Sequence, residues 1–388
     1  MGSPNVVVGA GPSGLAAAAA LRAQGVDALV LERGRAVATA WRTARYDRLH
    51  LHTARRLSGL PGYPIPRAHG RWVSRDGLLE YLERYAERHQ IKPRFGVSVE
   101  RLDRADGGWR LATTEGPLAA GRVILATGSS NEPFVPAWPG RGSFVGELVH
   151  SSRYRNAAPY RGRDVLVVGS GNSGSEIAVD LVEGGAARVR IAVRTPPVIV
   201  RRDRLGIPSQ LLGIAVDPLP PRIKNPLGRA LRRLTIPDLA GHGLPAPARP
   251  FEQLARTRTV PLLDVGFVDA VRRGAVEVVP AVERFEGAEV VLAGGRRISP
   301  DAVVAATGFR TGLGPLVGHL GVLDEHGWPL VHGPEEHPVA PRLHFVGIAV
   351  ELGGLLRRAA RDARDVARAI AADVERERAR RAPASAGL

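Results

Sequence analysis

The chain carries two glycine-rich turns of one form, each between an apolar run and a helix-like stretch. Near the start, Asn5 to Val8 leads into GAGPSG, with Gly9, Gly11 and Gly14 in GxGxxG spacing, and an alanine-rich stretch continues to about Gln24. Further on, VLVVGSGNSG repeats the form with Gly169, Gly171 and Gly174, and SEIAVDLVEGG follows. The first glycine of such a turn permits the tight bend. The second lets backbone N–H groups approach a diphosphate, and the third lets the helix pack closely on the strand. The diphosphate then meets the positive N-terminal end of the helix. Two such turns in 388 residues predict an α/β chain of two dinucleotide-binding, Rossmann-like units, each with its own core.

The strand after each turn carries the residue that selects the nucleotide. DALVLERG ends in Glu32, 18 residues after Gly14. A carboxylate there accepts hydrogen bonds from a ribose diol and disfavours a 2′-phosphate, as FAD or NAD requires. ARVRIAVRTPP places Arg194 and Thr195 about 20 residues beyond Gly174. A guanidinium pairs bidentately with a 2′-phosphate, which predicts NADPH rather than NADH. The other reading of Arg194 is a solvated strand-end residue in an arginine-rich chain.

The chain has no cysteine, which excludes disulfide scaffolds, thiolate metal sites and CxxC redox chemistry; no metal is expected. Its net charge of +16 is almost all arginine, since Lys92 and Lys224 are its only lysines. The arginines are scattered except in RERARR, and no base-reading motif accompanies them, so no nucleic-acid partner is expected. The early run VVVGAGPSGLAAAAA lacks a basic leader and is broken by the turn, so it reads as strand then helix. No segment approaches the roughly 20 apolar residues of a membrane span, and the expected location is cytoplasmic.

Directly before the second turn stands FxGxxxHxxxY, across Phe144, Gly146, His150 and Tyr154. Together they resemble the identifying sequence of the flavin-containing monooxygenases. GxGPSG at the N-terminus resembles the FAD-binding fingerprint of two-dinucleotide flavoproteins. Ala126-Thr127-Gly128 and Ala306-Thr307-Gly308-Phe309 resemble the hinge motifs of the family. The resemblance runs from the first turn to the last helix. It implies a three-layer ββα architecture with the NADPH domain inserted in the FAD domain. The expected division is an FAD-binding domain at 1–155 and 308–388, and an NADPH-binding domain at 156–307. An irregular insertion at about 198–261 is expected to shape the substrate entrance.

Trp41 to Pro66 is irregular and aromatic, and reads either as a loop covering something flat or as surface packing. Its run Trp41, Tyr46-Asp47-Arg48-Leu49, His52 and Leu60-Pro61 resembles the segment beside the isoalloxazine. It is most similar to the plant auxin-forming branch, which oxidises indole-3-pyruvate, and Pro261-Leu262-Leu263-Asp264-Val265-Gly266 matches a motif of that branch. Animal-type and microbial members place an asparagine where His52 stands. His52 is therefore the one catalytic candidate, as a donor to flavin-bound oxygen, unless it is simply a polar loop residue.

The site implied for FAD is Gly9, Gly11, Pro12, Ser13, Gly14, Glu32, Arg33, Trp41, Leu49, His52, Val99, Thr127, Gly128 and Leu355. That for NADPH is Gly169, Gly171, Asn172, Ser173, Gly174, Arg194, Thr195, Thr307 and Gly308. In reductase relatives the last strand ends in Gly-Asp, whereas here Gly347 precedes Ile348. The resemblance implies that NADPH reduces the flavin, O₂ adds at C4a, and the (hydro)peroxide oxygenates a small organic substrate. One branch is decarboxylating attack on a 2-oxo acid, with Arg201 or Arg202 meeting the carboxylate. The other is N- or S-oxygenation of a natural-product intermediate. Tyr154, where Baeyer–Villiger enzymes have tryptophan, points away from that chemistry. An NADPH oxidase or flavin dehydrogenase without oxygen transfer stays open, as does a non-catalytic flavin-binding regulator, against which the intact second turn argues. The expected partners are a small-molecule substrate and O₂, with a homodimer left open.

Overall fold

The computed structural model describes residues 3–204, 206–216 and 218–381. The first turn belongs to a parallel five-stranded sheet in the order Leu343–Phe345, Arg122–Leu125, Asn5–Val8, Ala28–Glu32, Arg94–Phe95. Side chains alternate across a strand, so each face needs its own cover. Val7, Val30 and Ile124 pack on helices Pro12–Ala23, Arg75–Arg88 and Leu355–Arg381. Val6, Val8, Val123 and Leu125 meet Leu102, Trp109 and Leu111 of an antiparallel layer, Val99–Ala105, Gly108–Thr113 and Gly116–Ala120.

The second turn repeats the plan. Its parallel sheet runs Glu277–Pro280, Arg188–Val193, Asp164–Val168, Ala302–Ala305, Glu147–His150. Val165, Val167 and Ile191 pack on helices Asn172–Glu183 and Phe267–Arg272. Leu166, Val168 and Val303 face Phe285, Val290 and Leu292 of a small antiparallel layer. The three-layer ββα unit is thus present twice.

Two features differ from the sequence reading. Glu147–His150 pairs with Ala302–Ala305 and lies in the second sheet, although the division at residue 155 assigns it to the first unit. The buried strand Ala302–Ala305 leaves backbone donors and acceptors on its outer side, and this segment satisfies them. Residues 198–261 are not irregular either: they hold helices Ser209–Val216, Pro221–Thr235 and Pro250–Thr257. Pro221 and Pro250 stand at the helix starts, where the missing N–H has no partner to lose. A parallel pair, Ile199–Arg201 with Leu262–Asp264, closes the insertion. Among the described residues, no helix is long and apolar enough to cross a membrane.

The two turns are near copies. Gly9 and Gly169 have φ of +106° and +110°. A Cβ on Gly14 would lie 1.8 Å from the Gly9 carbonyl oxygen, and one on Gly174 would lie 1.9 Å from that of Gly169. A Cβ on Gly11 would meet nothing within 4 Å. Gly14→Ala is therefore expected to lower the unfolding free energy of the apoprotein by about 3 kcal/mol or more. Gly11→Ala should change it by about 0.5 kcal/mol or less. Urea unfolding followed by circular dichroism separates the two.

Candidate active site between the glycine turns

Both turns open on one cavity of about 820 Å³. Gly9, Gly11, Pro12 and Ser13 wall it on one side, and Asn172 and Ser173 on the other. Gly11 and Gly171 cap their helices with nearly the same backbone, φ −79°, ψ −174° and φ −78°, ψ −176°. Neither would bring a Cβ within 4 Å of another group, so each turn presents an open cradle of backbone N–H groups, which suits a diphosphate. Gly14 and Gly174 stand behind the cradles in packing positions, where a Cβ would strike backbone.

The first cradle has the further features an FAD adenosine and diphosphate call for. Glu32 is buried and accepts N–H groups of Ala10 and Gly34, each at 2.8 Å, which leaves carboxylate lone pairs free at the cavity wall. The Thr127 hydroxyl is buried without a hydrogen-bond partner beside the same wall. Arg33 donates to Asn131 at 2.8 Å. Trp41, Leu49, His52, Val99, Gly128 and Leu355 complete the lining expected from the sequence.

The residues expected around NADPH divide into two groups. Ser173 lines the cavity, and Arg194 and Thr195 lie exposed beyond the end of Arg188–Val193, outside it. Arg194 has no hydrogen bond or ion pair among the described residues, so its guanidinium is available to a 2′-phosphate. Asn172, Thr307 and Gly308 are engaged by the protein itself. The Asn172 amide donates to the Pro261 carbonyl at 3.1 Å and accepts from the Leu263 N–H at 2.7 Å, fastening the Pro261–Gly266 motif to the turn. The Thr307 hydroxyl donates to the Phe134 carbonyl at 2.5 Å.

The FxGxxxHxxxY residues form a brace rather than a ligand set. Phe144 packs edge-on against Phe285 with ring centroids 5.2 Å apart, and a Cβ on Gly146 would fall 2.9 Å from the Asp301 carbonyl oxygen. His150 donates from Nε2 to the Gly308 carbonyl at 2.9 Å and accepts the Ser152 N–H at Nδ1, 3.1 Å. These partners require the neutral ring, and burial pushes its pKa below the usual histidine value. Tyr154 donates to Asp180 at 2.6 Å. Next to this brace, Glu132–Pro133 pairs with Phe309–Arg310 where the chain passes between the two sheets.

A second set of contacts joins the loop of the first unit to the helix of the second turn. The Tyr46 hydroxyl donates to Glu176 at 3.0 Å, and His52 Nε2 lies 2.5 Å from the other Glu176 oxygen. Arg48 reaches Asp180 at 3.4 Å and Glu183 at 2.8 Å. Glu176, Asp180 and Glu183 share one helix face. Burial, reinforced by the Glu176 carboxylate, raises the Tyr46 pKa well above its ordinary value and keeps it a donor. His52 does line the cavity, but its Nε2 proton is held by Glu176. Only Nδ1 remains for a ligand, and a donor there requires the imidazolium. The sequence reading missed Glu176, whose one visible signal was an acidic residue four before Asp180 just past the turn.

Gln210, also missed, accepts the Ala54 N–H at 2.9 Å and donates to the Gly353 carbonyl at 2.5 Å, tying the insertion to the loop and to the start of the last helix. Gly347 packs against Ser13 of the first turn, while Ile348 is buried in the core where reductase relatives carry aspartate. Arg201 and Arg202 do not line the cavity. Arg201 donates to the Thr235 carbonyl at 3.2 Å and faces Asp264 at 3.6 Å, and Arg202 stacks 4.6 Å from the Trp72 ring centroid. Local packing engages both outside the cavity, which is not where a residue reserved for a substrate carboxylate is expected.

Two dinucleotide turns facing one cavity, with no thiol present, define a flavoprotein oxidoreductase that does not work through cysteine. Comparison with known proteins agrees. Residues 6–205 match the family described as pyridine nucleotide-disulphide oxidoreductase. The chain is 34% identical to the probable indole-3-pyruvate monooxygenase YUCCA9 of Arabidopsis thaliana, over 97% of this chain and 91% of that one. It is 38% identical to the indole-3-pyruvate monooxygenase YUCCA1 of Oryza sativa subsp. japonica, over 79% and 76%. A flavin-containing monooxygenase from Stenotrophomonas maltophilia has a similar structure, with TM-score 0.74 and 26% identity, over 96% of this chain and 100% of that one. The chain belongs to the pyridine nucleotide-disulphide oxidoreductase family and, within it, to the flavin monooxygenases related to the YUCCA proteins.

The Glu176 junction is testable through stability. Glu176→Ala leaves the Tyr46 hydroxyl and His52 Nε2 without their partner, and is expected to cost about 2–3 kcal/mol. Thermal unfolding of holoenzyme should show a clear drop in midpoint, whereas Glu183→Ala, at the exposed end of the same face, should change it little.

Proposed function

We propose that this FAD- and NADPH-dependent monooxygenase oxygenates a flat, apolar 2-oxo acid with loss of its carboxyl group. One O₂ and one NADPH would be consumed. One oxygen atom enters the new carboxylic acid and the other leaves as water, with NADP⁺ and CO₂ as co-products. The observation that carries the reading is the single cavity onto which both cradles open, extended by the apolar side chains Val200, Leu231, Phe251 and Leu254 of the insertion. The relatives named as indole-3-pyruvate monooxygenases support the substrate class.

FAD and NADPH, when bound, supply reductive activation of O₂. The chain's own part is to bind, orient and exclude water. The first sheet and its cradle are assigned to FAD, with Glu32 toward the ribose and Thr127 toward an acceptor. The second sheet, with Arg194 and Thr195 at its edge and the insertion beside it, is assigned to NADPH. The Tyr46–Glu176–His52 junction holds the loop against the second turn, with His52 at the cavity wall. The insertion helices cover the opening and keep water from the reacting groups.

Holoenzyme given phenylpyruvate, NADPH and ¹⁸O₂ should yield phenylacetate carrying one ¹⁸O, with one CO₂ released per NADPH oxidised. Catalase must be present, because free hydrogen peroxide decarboxylates 2-oxo acids unaided. NADPH oxidation with quantitative peroxide release and unchanged acid would mark an oxidase instead. For the coenzyme site, Arg194→Ala is expected to raise the KM for NADPH about 10-fold or more and to leave that for NADH nearly unchanged. Steady-state assays with both coenzymes check it.

A further inference from the structure

Helix Pro221–Thr235 presents one face to the cavity: Leu227, Gly228, Leu231, Arg232 and Thr235 line it at helical spacing. Arg232 is the exception on this face. Its Nε is buried without a partner, and among the described residues no group hydrogen-bonds or ion-pairs with its guanidinium. Burial lowers its pKa, which Asp238 offsets only in part. Arg232 is half-buried, and a cation whose Nε is shut from water without a partner is unfavourable; on a cavity wall it marks a place where a ligand completes the pairing.

The other arginines on the cavity wall are accounted for. Arg33 donates to Asn131 at 2.8 Å. Arg229 donates to the Ala248 carbonyl at 2.9 Å and is otherwise exposed. Arg45 donates to the Ala44 carbonyl at 2.8 Å, and the rings of Phe309 and Trp41 cover it at 5.0 and 5.7 Å. Arg232 alone among them has its donors unused.

We propose that Arg232 anchors the carboxylate of the substrate and so determines the enzyme's preference for acids. A planar guanidinium offers two parallel N–H donors to a carboxylate, and the apolar groups beside it, Leu231, Phe251 and Leu254, would take the rest of a flat acid. The inference rests on the reading of the substrate as a 2-oxo acid. A phosphate of NADPH is the other oxyanion that could meet the same donors, so the test includes the coenzyme.

The experiment titrates oxidised holoenzyme with phenylpyruvate and with phenylacetone, which lacks the carboxylate, and follows the perturbation of the flavin absorbance. Arg232→Ala should weaken phenylpyruvate binding about 30-fold and leave phenylacetone binding within about twofold. Arg232→Lys should recover part of the loss, and the KM for NADPH should stay within about twofold in both variants. Unchanged phenylpyruvate binding, or a rise in the NADPH constant in its place, overturns the anchor. If Arg232→Ala does not fold, Arg232→Gln is read in the same way. Wild-type enzyme that binds phenylpyruvate through Arg232 yet releases no CO₂ would overturn the oxygenation reading and uphold the anchor. CO₂ release with binding indifferent to Arg232 would do the reverse.

Discussion

At each glycine turn a carbonyl oxygen occupies the space in which a side chain would otherwise stand. The Gly9 oxygen fills it at Gly14, and the Gly169 oxygen fills it at Gly174. This close approach seats the helix directly on the strand and aims its first N–H groups beyond the carboxyl end of the sheet. Because it happens in both units, and because the two sheets are arranged with these ends turned to one space, two anion cradles open on a single cavity. Ligand binding at the carboxyl ends of parallel strands follows from that geometry. Gly347 continues the theme, since its lack of a side chain lets the last strand end against Ser13.

Two cradles serve a joint reaction only if they keep their relative position. The structure holds it with polar contacts of long sequence separation. Glu176 is buried, and the Tyr46 hydroxyl and His52 imidazole satisfy it from the other unit. Hydrogen bonds to a charged group contribute about 1.5–3 kcal/mol each, and a carboxylate stripped of them would be left buried and unpaired. Tyr154 and Arg48 extend the same helix face, and His150 secures the crossing of the chain through the Gly308 carbonyl. The most recognisable motif in the sequence is thus a mechanical part of the molecule, one step removed from the cofactors.

The insertion gives the cavity its individual character. Its helices supply apolar walls and a cation, while Gln210 and Asn172 fasten it at two points to the nucleotide-binding frame. A rigid frame with variable segments at its mouth is the usual way one fold accommodates many substrates. In the function proposed here, substrate choice falls to residues that neither turn specifies.

The sequence by itself determined the two units and their glycine turns. Those features are local: the spacing of Gly9, Gly11 and Gly14, or of Gly174 and Arg194, lies within one strand–turn–helix–strand segment. Gly9, Gly11, Pro12, Ser13 and Glu32 reach the cavity for the same reason, with Gly14 behind it. Only the tertiary structure decided the rest. It paired Glu176 with Tyr46 and His52 across 130 and 124 residues, moved Glu147–His150 to the second sheet, and turned a proline-rich stretch into helices. It also removed Arg201 and Arg202 from the cavity and left Arg232 there. In a chain with this many arginines, type and spacing do not distinguish a free guanidinium from an occupied one. That depends on which partners the fold brings within reach.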